Sequence, residues 1–160
     1  MLKRIIVGGA AVLAIGGTIW GVAGEDHTKR DTSGDIVASG QLGAFVTKVG
    51  DCFVSVPNEK IVTTVEGVPC SKGHHWQVIF KGVISLSAFD EQGATDAGAN
   101  LCNPQVNSLA QNLDAAKMSE YKLSRVMEFG PSSASWAKGD RDVDCLIGSP
   151  TTFYFDSVLQ

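Results

Sequence analysis

The chain has 160 residues, a formal net charge of −4 and 44% hydrophobic residues. Apart from any targeting segment, that length holds one domain and not comfortably two. With 13 Lys and Arg against 17 Asp and Glu and no basic cluster, the composition argues against nucleic acid as a partner.

The first element is Ile5 to Gly24, an uncharged run preceded by Lys3 and Arg4. A hydrocarbon core about 30 Å thick needs about 20 apolar residues of helix, and this run has that length. The basic residues on its N-terminal side predict a cytoplasmic N-terminus and an exported remainder. Residues 1–24 are therefore expected as a signal anchor, a single-pass span in the cell membrane with the lipid bilayer as its first partner. A cleaved signal peptide is the alternative, with Val22-Ala23-Gly24 as the small-residue site. The length of the run favours the anchor, and its six glycines keep cleavage open. Gly17 and Gly21 form a GxxxG, extended by Ala10, Ala14 and Thr18, so this face is a candidate for packing against another membrane helix.

Residues 25–43 are polar and glycine-dotted and predict a flexible tether. An extracytoplasmic domain is expected over 44–160. Phe45–Val49 and Cys52–Val56 are β-rich and separated by Gly50-Asp51. Ile61–Val65 is β-branched at every position and is expected as a strand. Trp76–Ser87 is a long β-like run, with Trp76, Val78 and Phe80 expected on one face and Ile79 on the other.

Helical periodicity follows. Ala94, Ala97, Gly98 and Leu101 predict one helix behind Asp90. Asn103-Pro104 then reads as the start of a second, carrying Val106, Leu109, Ala110 and Leu113. Tyr121 to Phe129 alternates as a strand, and Gly130-Pro131 ends it. Ser132 or Ser133 caps a short turn through Trp136, which Gly139 closes. Val143, Cys145 and Ile147 share a face of the next strand, and Thr151–Val158 reads as a last, aromatic strand. The order predicts an α+β fold, with a mostly antiparallel sheet and two helices. The four cysteines all lie in the exported part. Oxidation there implies two disulfides, with three connectivities open.

One set of short motifs runs through this domain. It comprises Val49-Gly50-Asp51-Cys52-Phe53, Val68-Pro69-Cys70 followed by His74, Cys102, Pro131, Trp136-Ala-Lys-Gly139-Asp140-Arg141, and Cys145. Together and in this order they resemble the actinobacterial septum formation domain, an extracytoplasmic module usually carried behind a transmembrane helix. Gly73 and Gln77 stand where that family usually has proline and glutamate, so an acid partner for the histidine is missing. The resemblance implies pairing of Cys52 with Cys70 and of Cys102 with Cys145, and it implies a link to septum formation and cell division. In a chain-entropy account the two loops contribute about 3 and about 4 kcal/mol.

Candidate chemistry is sparse. Cys70, His74 and His75 are too few for a zinc site, and no metal or cofactor is expected. Asp140-Arg141-Asp142-Val143-Asp144 begins like a calcium loop, but Cys145 stands where glycine is needed and Thr151 where glutamate is needed. Asp142 and Asp144 are expected on a solvated strand face, with Asp140 and Arg141 forming a local ion pair. Trp136 is expected in the core. His74, His75 and Trp136 remain the candidate binding residues, and no serine has a base partner.

The sequence thus points to a non-catalytic binding or scaffolding module held in the envelope. It would act in cell division or as an accessory subunit of a membrane complex, with a protein partner there. The rivals are a cell-surface hydrolase or metal-dependent enzyme built at His74 and His75, and a secreted factor released by cleavage.

Overall fold

The computed structural model describes residues 25–56, 62–121 and 125–160. The expected span at 1–24, with Gly17 and Gly21, lies outside them. Among the described residues no helix is long and apolar enough to cross a membrane.

The strands are β1 (Lys29–Arg30), β2 (Ile36–Ala38), β3 (Gly40–Gly43), β4 (Cys52–Phe53), β5 (Thr64–Val68), β6 (Trp76–Val83), β7 (Arg125–Phe129) and β8 (Asp142–Gly148). The helices are α1 (Glu91–Asn112), α2 (Ala115–Glu120) and α3 (Ser133–Trp136). Six strands form one sheet in the order β3-β5-β4-β6-β8-β7, and every pair is antiparallel. β1 and β2 form a separate hairpin. The α+β architecture with a mostly antiparallel sheet is as the sequence predicts.

The sheet buries apolar side chains on both faces. On one face α1 lays Ala94, Ala97, Leu101, Val106 and Leu109 against Val143, Cys145 and Ile147 of β8. On the other, Leu42, Phe53, Val65, Trp76, Val78 and Leu146 pack with Ile36 of the hairpin. Alternation along β8 divides it between the two cores as a period of two requires.

β6 divides itself differently. Its register shifts between Val78 and Phe80, so that Val78 faces Leu146 and Phe80 faces Cys145. A bulge admits one extra residue and resets the alternation. Phe80 consequently joins Ile79 on the α1 side, while Trp76 and Val78 stay on the other. The expectation that Phe80 shares a face with Trp76 fails for this reason.

The helical region is also simpler than expected. One 22-residue helix runs through Pro104, where the sequence predicted two. Asp90 caps it, its carboxylate accepting from Gly93 N at 2.6 Å. An internal proline costs a helix about 3 kcal/mol, because it removes an N–H and crowds the preceding turn. Here the helix is pinned two residues earlier, where buried Cys102 is bonded to Cys145 of β8. The apolar stripe resumes beyond the proline at Val106 and Leu109.

Four other expectations are corrected. The stretch read as a tether is folded: it contains the β1–β2 hairpin and β3, and Leu42 is fully buried. Its polarity belongs to a hairpin with one buried face. Phe45–Val49 is a turn, closed by Val46 N donating to Gly43 O at 3.1 Å and Asp51 N donating to Lys48 O at 3.1 Å. The strand read as Ile61–Val65 runs instead from Thr64 to Val68. Thr151–Val158 is not a strand, and among the described residues its one ladder contact is a single bridge between His74 and Tyr154. The alternation there is real, with Tyr154 1% exposed between Phe153 at 50% and Phe155 at 65%. The segment crosses the end of the sheet rather than joining it.

Candidate functional site

The Val49-Gly50-Asp51-Cys52 motif builds a buried junction. Gly50 adopts φ +99°, a conformation open to glycine and strained for other residues. That turn lets its N–H donate to Val78 O at 2.8 Å while its carbonyl accepts from Gln77 Nε2 at 3.2 Å. Cys52 and Cys70 are bonded beside it, with Cα atoms 5.3 Å apart, and the pairing of all four cysteines is the one the resemblance implied. Asp51, 3% exposed, takes a two-pronged contact from Arg30, at 2.6 Å and 2.8 Å. That contact, first among the causes, raises the Arg30 pKa.

The two histidines lie beside this junction on separate partners. His74 is fully buried, and its Nδ1 donates to Lys72 O at 3.2 Å. Its Nε2 is buried without a hydrogen-bond partner among the described residues. Burial lowers its pKa, partly offset by the Lys72 carbonyl. His75 donates from Nδ1 to Ser149 O and Thr152 O, at 3.0 Å and 2.9 Å, and packs on Phe153 with ring centres 4.0 Å apart. His75 thus holds the C-terminal segment through its ring, and His74 holds it through its main chain, which exchanges two hydrogen bonds with Tyr154. Gln77 completes the clasp, with Nε2 donating to Ser157 Oγ and Oε1 accepting from Val158 N, each at 2.8 Å. Among the described residues, no group of three or more His, Cys, Asp or Glu is placed to hold a metal ion.

Trp136 is a core residue, 9% exposed, with Phe89 beside it and the Arg141 guanidinium 3.3 Å from its ring centre. The expected Asp140–Arg141 ion pair is replaced by Arg141 Nη1 donating to the carbonyls of Trp136 and Asp140, at 2.9 Å and 2.6 Å. Ser132 and Ser135 bond each other in a capping box at the start of α3.

A groove of about 810 Å³ lies elsewhere, around β7. Val126, Met127, Glu128 and Phe129 all line it. Successive strand residues point to opposite faces, so a groove touched by all four wraps the strand's outer edge. Phe45, Phe89 and Val126 give it apolar walls. Among the described residues, its charged lining is Glu91, Glu128, Asp140, Asp142 and Asp144 against Lys81. Lys81 is committed to Asp144 at 2.8 Å, and Thr47 Oγ1 bonds the other Asp144 oxygen. Asp144 is therefore buried and paired, not on a solvated face as the sequence suggested. Burial pushes its pKa up, and Lys81 and Thr47 pull it partly back. Burial also raises Glu128, which no described cation offsets.

Sequence reasoning singled out none of the residues of this groove as a site. The only available signal was the carboxylate run Asp140-Arg141-Asp142-Val143-Asp144, and its spacing pointed towards calcium rather than towards a groove wall.

Searches of the curated proteins and of the solved structures find no match. The model of one family, described as septum formation, matches residues 21–145. Those residues contain both disulfides, both histidines, the Gly50 junction and all of β7. The chain belongs to the septum formation family.

Proposed function

We propose that this protein is a non-catalytic binding module of the cell envelope, acting in cell division. Residues 5–24 anchor it in the membrane with the domain outside, and the groove around β7 receives a segment of a protein partner. The groove carries this reading: it has a volume of about 810 Å³, and it lies along a sheet edge with apolar walls. Family membership supports the cell-division setting, and the two disulfides suit an oxidising compartment. The binding reading is preferred to a hydrolase or metal-dependent enzyme at His74 and His75 because His74 is fully buried and the Nδ1 of each ring is given to a main-chain carbonyl.

A photo-crosslinking residue at position 126 in dividing cells tests the reading, with one at exposed Phe153 as the control. The expected result is a discrete adduct with a division-site protein from position 126 alone. Equal adducts from both positions, or turnover of envelope polymers by the purified protein, would overturn it.

A further inference from the structure

We propose that the occupant of the groove is an extended, cationic segment of a partner protein, which adds to β7 as a further strand. This rests on the binding-module reading and specifies its partner.

The two edges of the sheet are treated differently. The β3 edge is covered by the chain itself. His27 N donates to Gln41 O and Gly43 N donates to Glu25 O, both at 2.9 Å, and Asp26 bridges Leu42. Gly40 permits this cover, since a Cβ there would lie 2.3 Å from His27 O. At the other end β7 pairs with β8, and no other described strand lies against it. An uncovered edge offers a row of main-chain donors and acceptors, and an added strand is the general way such an edge is used in recognition.

The surrounding chemistry selects the sign of the incoming strand. Among the described residues that line the groove, Glu128, Asp140 and Asp142 add negative charge, and the one cation, Lys81, is already spent on Asp144. Glu128 sits half-buried against Gly98 of α1, its charge offset by no described cation. A cationic side chain placed there relieves a carboxylate already partly stripped of water. A second copy pairing through β7 would bring the same carboxylates back onto themselves. An anionic bilayer surface would be repelled in the same way. The apolar walls at Phe45, Phe89 and Val126 suit the alternate side chains of the strand.

The test uses the full chain in nonionic micelles, with an alternating lysine–valine peptide as the probe and a glutamate–valine peptide as its counterpart. The lysine peptide should bind, shift the backbone amides of Val126–Phe129 and weaken with added salt. The glutamate peptide should not bind. Glu128→Gln with Asp142→Asn should weaken binding about threefold to tenfold. Equal binding of both peptides, shifts confined to β3 or to Phe153 and Phe155, or self-association through β7 without peptide binding would each overturn the proposal. A partner crosslinked at position 126 together with no lysine-peptide binding would sink the cationic strand and leave the module reading standing. Loss of both would sink the two together.

Discussion

Arg30 and Asp51 form a two-pronged ion pair that joins the N-terminal hairpin to the glycine turn of the sheet. The same guanidinium also holds Asp26 Oδ2 at 2.6 Å and Gly34 O at 2.8 Å. Asp51 accepts in addition from Lys48 N at 2.8 Å. A buried charge stripped of its partner is costly, so Asp51→Asn should lower stability by about 3 kcal/mol. Arg30→Met combined with Asp51→Asn should cost less than the sum of the two single changes. Urea unfolding midpoints check both statements, and strict additivity would show that the pair is not coupled.

Gln77 makes a sharper prediction, because both ends of its side chain are used. Its amide donates at one end, to Ser157 and Gly50, and accepts at the other, from Val158. A carboxylate cannot donate, and this site is 1% exposed. Gln77→Glu should therefore cost about 2 kcal/mol or more and loosen residues 157–160 first. Hydrogen exchange at Val158 reads this directly, and unchanged protection there would contradict it.

His74 should make stability depend on pH. The unfolded chain takes up a proton near the ordinary histidine value of 6.5, while burial holds the folded ring neutral to a lower pH. The unfolded state thus binds more protons on the acid side, and stability rises with pH there. It should be full above about pH 6.5, decline as pH falls below that, and level off once the folded ring itself protonates. His74→Gln should flatten this slope even where it lowers the absolute Tm. Thermal melts from about pH 5 to about pH 8 decide it, and an unchanged slope would assign the dependence to other groups.

The disulfides should rank by the length of chain they close. Cys102–Cys145 spans 43 residues and Cys52–Cys70 spans 18. Chain entropy assigns them about 4 and about 3 kcal/mol. Replacing Cys102 and Cys145 by alanine should also free α1 from β8 on either side of Pro104. Loss of helical circular dichroism ahead of global unfolding in that variant alone would show it, and equal behaviour of both alanine pairs would refute it.

Much of the sheet was legible because its strands alternate strictly. Val143, Cys145 and Ile147 fell on one face as written. The pattern misled where a local device reset it. Phe80 changed face because one extra residue at Ile79 is invisible to a period of two. Phe45–Val49 has strand composition, but Asp144 and Lys81 draw Thr47 into a turn across a long sequence separation. Pro104 looked like a start because an internal proline is costly, and only the neighbouring cross-link explains its tolerance. The groove was not legible at all. It depends on which strand ends at an edge, and strand order is set by pairing that a single sequence does not display.

The covered β3 edge also decides how the domain takes a pulling force. Tension entering through residue 24 meets the sheet at once, at the main-chain bonds of Glu25 and His27, with no slack before them. Such bonds part in turn, as a zip does, until strain reaches the grip of Arg30 on Asp51. One residue later lies Cys52, whose bond to Cys70 carries the tension past β5 instead of through it. The first yielding unit is therefore residues 25–51, a short extensible leader whose release leaves β7 paired with β8 but takes Phe45 out of the groove wall.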